Sequence, residues 1–380
     1  MAAVKPLKFA DAAVQQFAAG DVVDPTFIAR GRNLIIGGDF TTNPWQRGTS
    51  FTAIGYTADR WYWNNSSAAA FSILKTADAP TAAEAGVYTQ DCLHIDCTTA
   101  DASVAAGDFA LLAQFVEGKD CVSLGFGQSG TRYVTLSFWV KATKTGTYCA
   151  SIRNSANSRS YVKEYSVSTT NTWEYKSLVF PVDTSGTWLY DTGVGLRIVW
   201  AVMCGSTYQT TADTWAAGVY AATSNQVNGF DSTSNDFKLA LVQLEAGAVA
   251  SSFQPRSVSD EWWLCRRYYR QWNFPAGGFP IATGYCTSTT AWFASGLCAE
   301  NTSNMRATPT IGMGSASNYL VYDSAGSAVA VTSFNVAGNS GDGGMIYASG
   351  YVSSGLTAGA ATTLGSSVAN AATVTATAEL

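Results

Sequence analysis

From Asn33 to about Pro255 apolar and polar residues alternate with a period of two. The runs Tyr133-Val-Thr-Leu-Ser-Phe-Trp-Val140, Glu174-Tyr-Lys-Ser-Leu-Val-Phe180 and Phe237-Lys-Leu-Ala-Leu-Val-Gln243 each put their apolar side chains on one face of an extended segment. Between them lie clusters of Gly, Ser, Asn and Asp, the residues that reverse a chain. The pairs Thr172-Trp173, Thr187-Trp188 and Thr214-Trp215 open or close such runs, but their contexts differ too much to make a repeat. Many antiparallel strands with almost no helix predict a β-sandwich or jelly roll.

Residues 257–272 break the rhythm. Ser257 or Ser259 can cap a helix, with Asp260 and Glu261 near its positive end and Arg266, Arg267 and Arg270 towards its negative end. Val258, Trp262, Cys265, Tyr269 and Trp272 are spaced by four, three, four and three, which predicts one apolar helical stripe. Two arrangements fit that stripe, a connector docked on a β domain and a short bundle around an oligomer axis. From Asn273 strand-like runs return: Trp292-Phe293, Tyr319 to Tyr322, Ala328 to Phe334, Met345 to Ser349 and Val374 to Ala378. Before Asn33, residues 1–32 form a leader in which Val14 to Ala19 has the makings of a helical turn or two, cut short by Gly20, Pro25 and Gly31. The predicted fold is all-β. A jelly-roll sandwich over 33–256 is followed by a short helix over 257–272 and a smaller C-terminal β domain over 273–380.

Composition narrows the function. The 380 residues are 47% hydrophobic, with 12 Trp, 18 Tyr and 18 Phe, enough for a large core. Only 13% are charged, against roughly a quarter in an ordinary soluble domain. The surface is therefore built from hydroxyls, amides, glycine and aromatics. A net charge of −5 argues against nucleic acid and anionic membrane as partners, and no stretch reads as a membrane span. No apolar run of signal-peptide length follows Lys5 and Lys8, which predicts synthesis in a cytoplasm without secretion. The eight cysteines show no CxxC pair and no zinc spacing, as expected of small buried thiols, although Cys92 and Cys97 flank His94.

Catalytic motifs are scarce. Gly125-Phe-Gly127-Gln-Ser-Gly130 matches a dinucleotide fingerprint in letters, but it leads into a strand where a helix is needed, and reads as a glycine turn. There is no P-loop, no GxSxG elbow, and His94 is the single histidine. Arg266-Arg267-Tyr268-Tyr269-Arg270 reads as part of a packed helix on an acidic chain. Expectation therefore favours a protein that binds without catalysis and needs no cofactor.

Four segments carry a resemblance. Lys5-Pro-Leu-Lys-Phe9 with Gln15-Gln16-Phe17 and Ala19-Gly-Asp21 resembles the N-terminus of tail-fibre proteins of tailed bacteriophages. Asn33-Leu-Ile-Ile-Gly-Gly-Asp-Phe40, Trp45-Gln-Arg-Gly-Thr49 and Tyr56-Thr-Ala-Asp-Arg-Trp61 resemble the opening of their jelly roll. Leu241-Val-Gln-Leu-Glu-Ala-Gly247, Phe253 and Glu261 to Tyr269 resemble its end, and Ala376 to Leu380 resembles the last strand of such fibres. Residues 273–375 match only loosely.

The resemblance implies a virion protein, a tail fibre whose leader docks on other tail proteins and which meets a host-surface glycan or protein as a homotrimer. Head fibres, capsid decorations and fibre-borne glycan depolymerases are the alternatives. The fold is also similar to carbohydrate-binding modules. That likeness makes Trp45, Trp61 and Trp63, with Trp292 and Tyr319 in the distal domain, candidate sugar platforms or else core residues. It also implies a structural calcium at Asp39 and Glu245, unless those carboxylates serve turns and strand ends.

Overall fold

The computed structural model describes residues 33–297, 304–338 and 346–380, with the backbone alone of 7–10, 13–16 and 337–338. Strands β1 (Leu7–Ala10) and β2 (Ala13–Gln16) pair as an antiparallel hairpin, so Val14 to Gln16 are extended and not the helical turn that was expected. The remainder of the leader, and with it the docking expectation, lies outside the described residues.

The sandwich uses thirteen strands: β3 (Ser50–Phe51), β4 (Gly55–Tyr56), β5 (Trp61–Asn65), β6 (Ala70–Thr76), β7 (Cys92–Thr99), β8 (Phe109–Glu117), β9 (Tyr133–Ala142), β10 (Gly146–Arg153), β11 (Arg159–Val167), β12 (Glu174–Pro181), β13 (Val194–Cys204), β14 (Trp215–Ala217) and β15 (Asp236–Ala246). One sheet runs β14-β11-β10-β13-β8-β5-β4, the other β12-β9-β15-β7-β6-β3. The period of two read from the sequence is the inward and outward alternation of these strands. Val134, Leu136, Phe138 and Val140 of β9 face Leu196, Ile198 and Trp200 of β13 within one core. The glycine-rich segment is a turn entering β9, with Gly125, Gly127 and Gly130 at φ +70°, +74° and +109°, a region open to glycine at little cost.

After the sandwich, Ser257 caps a helix over Val258–Arg266 by accepting from the Asp260 amide at 3.1 Å. This helix is shorter than the 257–272 segment predicted. Tyr269–Phe274 forms strand β16 instead, so Tyr269 and Trp272 leave the helical stripe. The competing force is pairing: β16 runs antiparallel to the final strand over six residues, from Tyr269 opposite Thr377 to Phe274 opposite Ala372. Aromatic residues favour a ladder over a third helical turn.

Beyond it come β17 (Pro280–Cys286), β18 (Ala291–Ser295), β19 (Thr310–Met313), β20 (Tyr319–Asp323), β21 (Ala328–Gly338), β22 (Ile346–Val352), β23 (Ala361–Ser366) and β24 (Ala372–Thr377). Strands β17-β18-β22-β21-β20-β23 close into a small barrel, and β16-β24-β19 form a separate three-stranded sheet. Closure leaves the barrel no free edge. Trp292, Tyr319, Val321 and Leu364 fill it. Among the described residues no helix is long and apolar enough to cross a membrane.

Candidate functional site

The residues singled out as sugar platforms are interior. Trp61 and Trp63 have no exposed surface, Trp45 has 5%, Trp292 1% and Tyr319 none. Trp61 packs 5.1 Å from Phe40 and 5.4 Å from Trp200, and Trp63 lies 5.1 Å from Phe71. The Trp45 indole donates to the Phe40 carbonyl at 2.9 Å, and the Tyr319 hydroxyl to the Thr373 carbonyl at 2.6 Å. Rings covered this way have no face left for a sugar, which corrects the platform reading. They supply core stability, each worth roughly 3–5 kcal/mol against truncation to Ala.

Asp39 and Glu245 are also taken up locally. Asp39 accepts from the Thr89 hydroxyl at 3.0 Å and the Thr41 amide at 3.2 Å, while burial raises its pKa against those bonds. Glu245 accepts from the amide and hydroxyl of Ser251, both at 2.8 Å, and from Gln243 at 2.9 Å. Among the described residues the two carboxylates share no hydrogen-bond partner. Each behaves as the turn and strand-end group that was the other reading. Among the described residues the grouping with metal-ligand spacing is His94, Asp96 and Asp236, its ligand atoms all within 4.8 Å. Cys97 lies in the sandwich core instead. The seven described cysteines are all buried free thiols.

The framework motifs converge on one junction between sandwich and distal sheet. Gln114 holds the opening segment by exchanging two 2.8 Å bonds with the Ile36 backbone. Arg256 and Glu261, paired at 3.1 Å, bond to the Ile35 carbonyl and the Gly37 amide respectively. Arg60 pairs with Glu379, donates to the Phe115 carbonyl at 2.6 Å and lies 3.5 Å over the Tyr268 ring. Arg47 also reaches Glu379, at 2.9 Å, and stacks 3.5 Å over Tyr269. Arg267 makes a two-toothed pair with Glu117 at 2.8 and 2.7 Å. Segments far apart in sequence are thus stapled by charge-assisted bonds, and the motif residues there are structural.

A different site opens on the outward face of the seven-stranded sheet. Here alternation fails: β8 reads Phe-Ala-Leu-Leu-Ala-Gln-Phe-Val-Glu, a nearly continuous apolar run that signals cover on both faces. Leu111, Ala113, Phe115, Val199 and Ala201 form a second apolar cluster, packed by the loop residues Tyr208, Tyr220, Ala221 and Ala222. Beside that loop lies a groove of about 440 Å³. Leu111, Ala113, Phe115 and Val199 line it, with Tyr62, Asn64, Phe109, Tyr208, Asn157, Val219 and Leu380. Tyr62 sits 5.7 Å from Phe115, and Phe109 meets Tyr208 edge-on at 5.1 Å.

Two arginines enter this groove. Arg153 ends β10 directly opposite Arg197 of β13 in the ladder. Arg197 lies 4.8 Å over the Phe115 ring and donates to the Ser155 carbonyl at 3.2 Å. Arg153 is only 7% exposed, and its Nε and one Nη have no hydrogen-bond partner, nor has the Nε of Arg197. Burial, and then Arg197 beside it, pulls the Arg153 pKa down to about 10, and burial lowers that of Arg197. Chemically the groove offers apolar ring faces, two amides and two arginines.

No protein-family model matches the chain, and no curated protein does. Among solved structures the chain is similar to the enzymatically active domain of bacteriophage CBA120 tailspike protein 4, at 13% identity and a TM-score of 0.30, over 56% of this chain and 21% of that one. It is similar to the module TmCBM61 in complex with β-1,4-galactotriose, at 10% identity and 0.28, over 57% and 99%. A third is the family 11 carbohydrate-binding module from Clostridium thermocellum in complex with a β-1,3-1,4-mixed-linked tetrasaccharide, at 12% identity and 0.27, over 53% and 98%. The chain thus spans about a fifth of the tailspike domain and nearly all of each module.

Proposed function

We propose that this chain is a carbohydrate-binding structural protein of a tailed-bacteriophage virion, a tail fibre whose sandwich holds a host-surface glycan without cleaving it. The groove on the seven-stranded sheet carries the reading: partly exposed Tyr62, Phe109 and Tyr208 beside Asn64 and Asn157, on a rigid ladder. Aromatic rings suit the apolar faces of sugars, and amides suit their hydroxyls. Among the described residues no side-chain carboxylate lines the groove, so paired-acid glycoside hydrolysis has no groups there to work with. The virion role rests on the motif resemblance. Val258 and Trp263, 65% and 63% exposed on the junction helix, with Trp262 at 37%, give three copies an apolar surface to share. A trimer would multiply weak single sites by avidity.

Affinity electrophoresis of the full chain through gels carrying host-surface polysaccharides tests this. Retardation is expected for the wild type. Tyr62→Ala with Tyr208→Ala should weaken it about thirtyfold, since two ring contacts are worth roughly 1 kcal/mol each. Unchanged retardation in the double variant would move the site elsewhere, and release of reducing ends would make the protein a depolymerase.

A further inference from the structure

We infer that the groove selects an acidic saccharide, with Arg153 and Arg197 receiving its anionic substituent; this rests on the glycan-binding reading above. Like charges placed opposite each other on neighbouring strands repel. Burying an arginine without a partner costs free energy that water would otherwise supply. The fold accepts the first penalty at both arginines and the second at Arg153, and no carboxylate of the described residues stands among the groups that shape either one's charge. Arg197 is steadied by the Phe115 ring and a carbonyl, which fixes its plane and leaves its charge uncancelled.

A fork of guanidinium donors fits a planar carboxylate and equally the oxygens of a sulfate or phosphate ester. The shared chemistry is an anion on a pyranose whose apolar face lies against Tyr62 or Tyr208. One ligand would satisfy the unpartnered nitrogens, relieve the repulsion and cover the rings.

The test uses matched polymers and the full chain. Polygalacturonate, hyaluronate and polysialic acid are each compared with their carboxyl-reduced forms, and dextran sulfate with dextran, by affinity electrophoresis. At least one acidic member should be retarded tenfold or more over its neutral partner, and which pair responds distinguishes carboxylate from ester. Arg153→Met and Arg197→Met should each abolish that preference. Arg153→Met should meanwhile raise Tm by about 2–4 °C without ligand, because an unpaired buried charge is gone. A structural arginine would instead lower it.

Equal retardation of acidic and neutral members, lost in Tyr62→Ala, would overturn the acidic selectivity and leave glycan binding standing. Retardation of none would remove both. Thermal stabilisation by sodium acetate as strong as that by sodium glucuronate would reduce the site to a simple anion hole and overturn the saccharide assignment.

Discussion

Two buried arginines of the same seven-stranded sheet, one just before β5 and one ending β10, invite comparison. Arg60, at the junction, is 1% exposed, and its charge is met by Glu379, the Phe115 carbonyl and the Tyr268 ring. Burial works against that charge, but Glu379, Tyr268 and Tyr56 outweigh it and hold the pKa above the ordinary value. Arg153, in the groove, is nearly as buried, and there burial, with Arg197 beside it, lowers the pKa. One arginine is neutralised by its own chain, and the other is left for something outside it. The junction is where the molecule is held together, and the groove is where we propose that it takes a partner.

The comparison breaks most readily at Glu379. Glu379→Gln leaves Arg60 charged and unpaired in the interior, and should cost about 3–5 kcal/mol of stability, read from urea unfolding. A loss below about 1 kcal/mol would mean that Tyr268 and the carbonyl suffice alone. The outer side of the junction sharpens the contrast next. Trp262→Ala with Trp263→Ala should convert the proposed trimer to monomer in sedimentation while the β-sheet spectrum persists. An unchanged mass would place the oligomer contact elsewhere.

The smallest effect lies on the six-stranded sheet, at Asp78. Burial opposes its charge, yet hydrogen bonds from Lys238, Lys141 and Trp173 hold its pKa at about 2. A carboxylate whose folded pKa is depressed stabilises the fold above its unfolded pKa of about 3.9, and that share is lost as pH falls towards about 2. The site is only half-buried and solvent screens it, so Asp78→Asn should flatten the acid limb of a stability profile between about pH 4 and 2 by less than ~1 kcal/mol. A profile unchanged in that window would show the ion pairs to be screened.

Much of the fold is legible in the sequence because alternation survives wherever one face meets the core. The runs at Tyr133, Glu174 and Phe237 became β9, β12 and β15. The helix ends at Arg266, short of the 272 that the spacing predicts, because a spacing of four and three also suits residues that pair in a ladder when a partner strand lies elsewhere in the chain. For β16 that partner is β24, which no local window contains.

The site was missed for a related reason. In Trp61-Tyr-Trp-Asn-Asn65 the tryptophans point inward, and the side chains that reach the groove are the intervening Tyr62 and Asn64. A shift of one residue along a strand exchanges core for surface. The unbroken apolar run of β8 was the available signal that the outer face was special. The juxtaposition of Arg153 and Arg197 was not, since it depends on strand register. Nor was the pairing of Arg60 with Glu379, 319 residues apart.

That the charge of one buried arginine is neutralised by a carboxylate of its own chain and that of the other is not can be read from equilibrium unfolding of Arg60→Met and Arg153→Met side by side without ligand. Opposite signs are expected: a loss of about 3–5 kcal/mol for the first, which takes away the buried partner of Glu379 and leaves it Arg47, and a gain of about 1–3 kcal/mol for the second, which removes an unpaired buried charge. A loss in both variants would show that Arg153 is also a structural residue, and would contradict it.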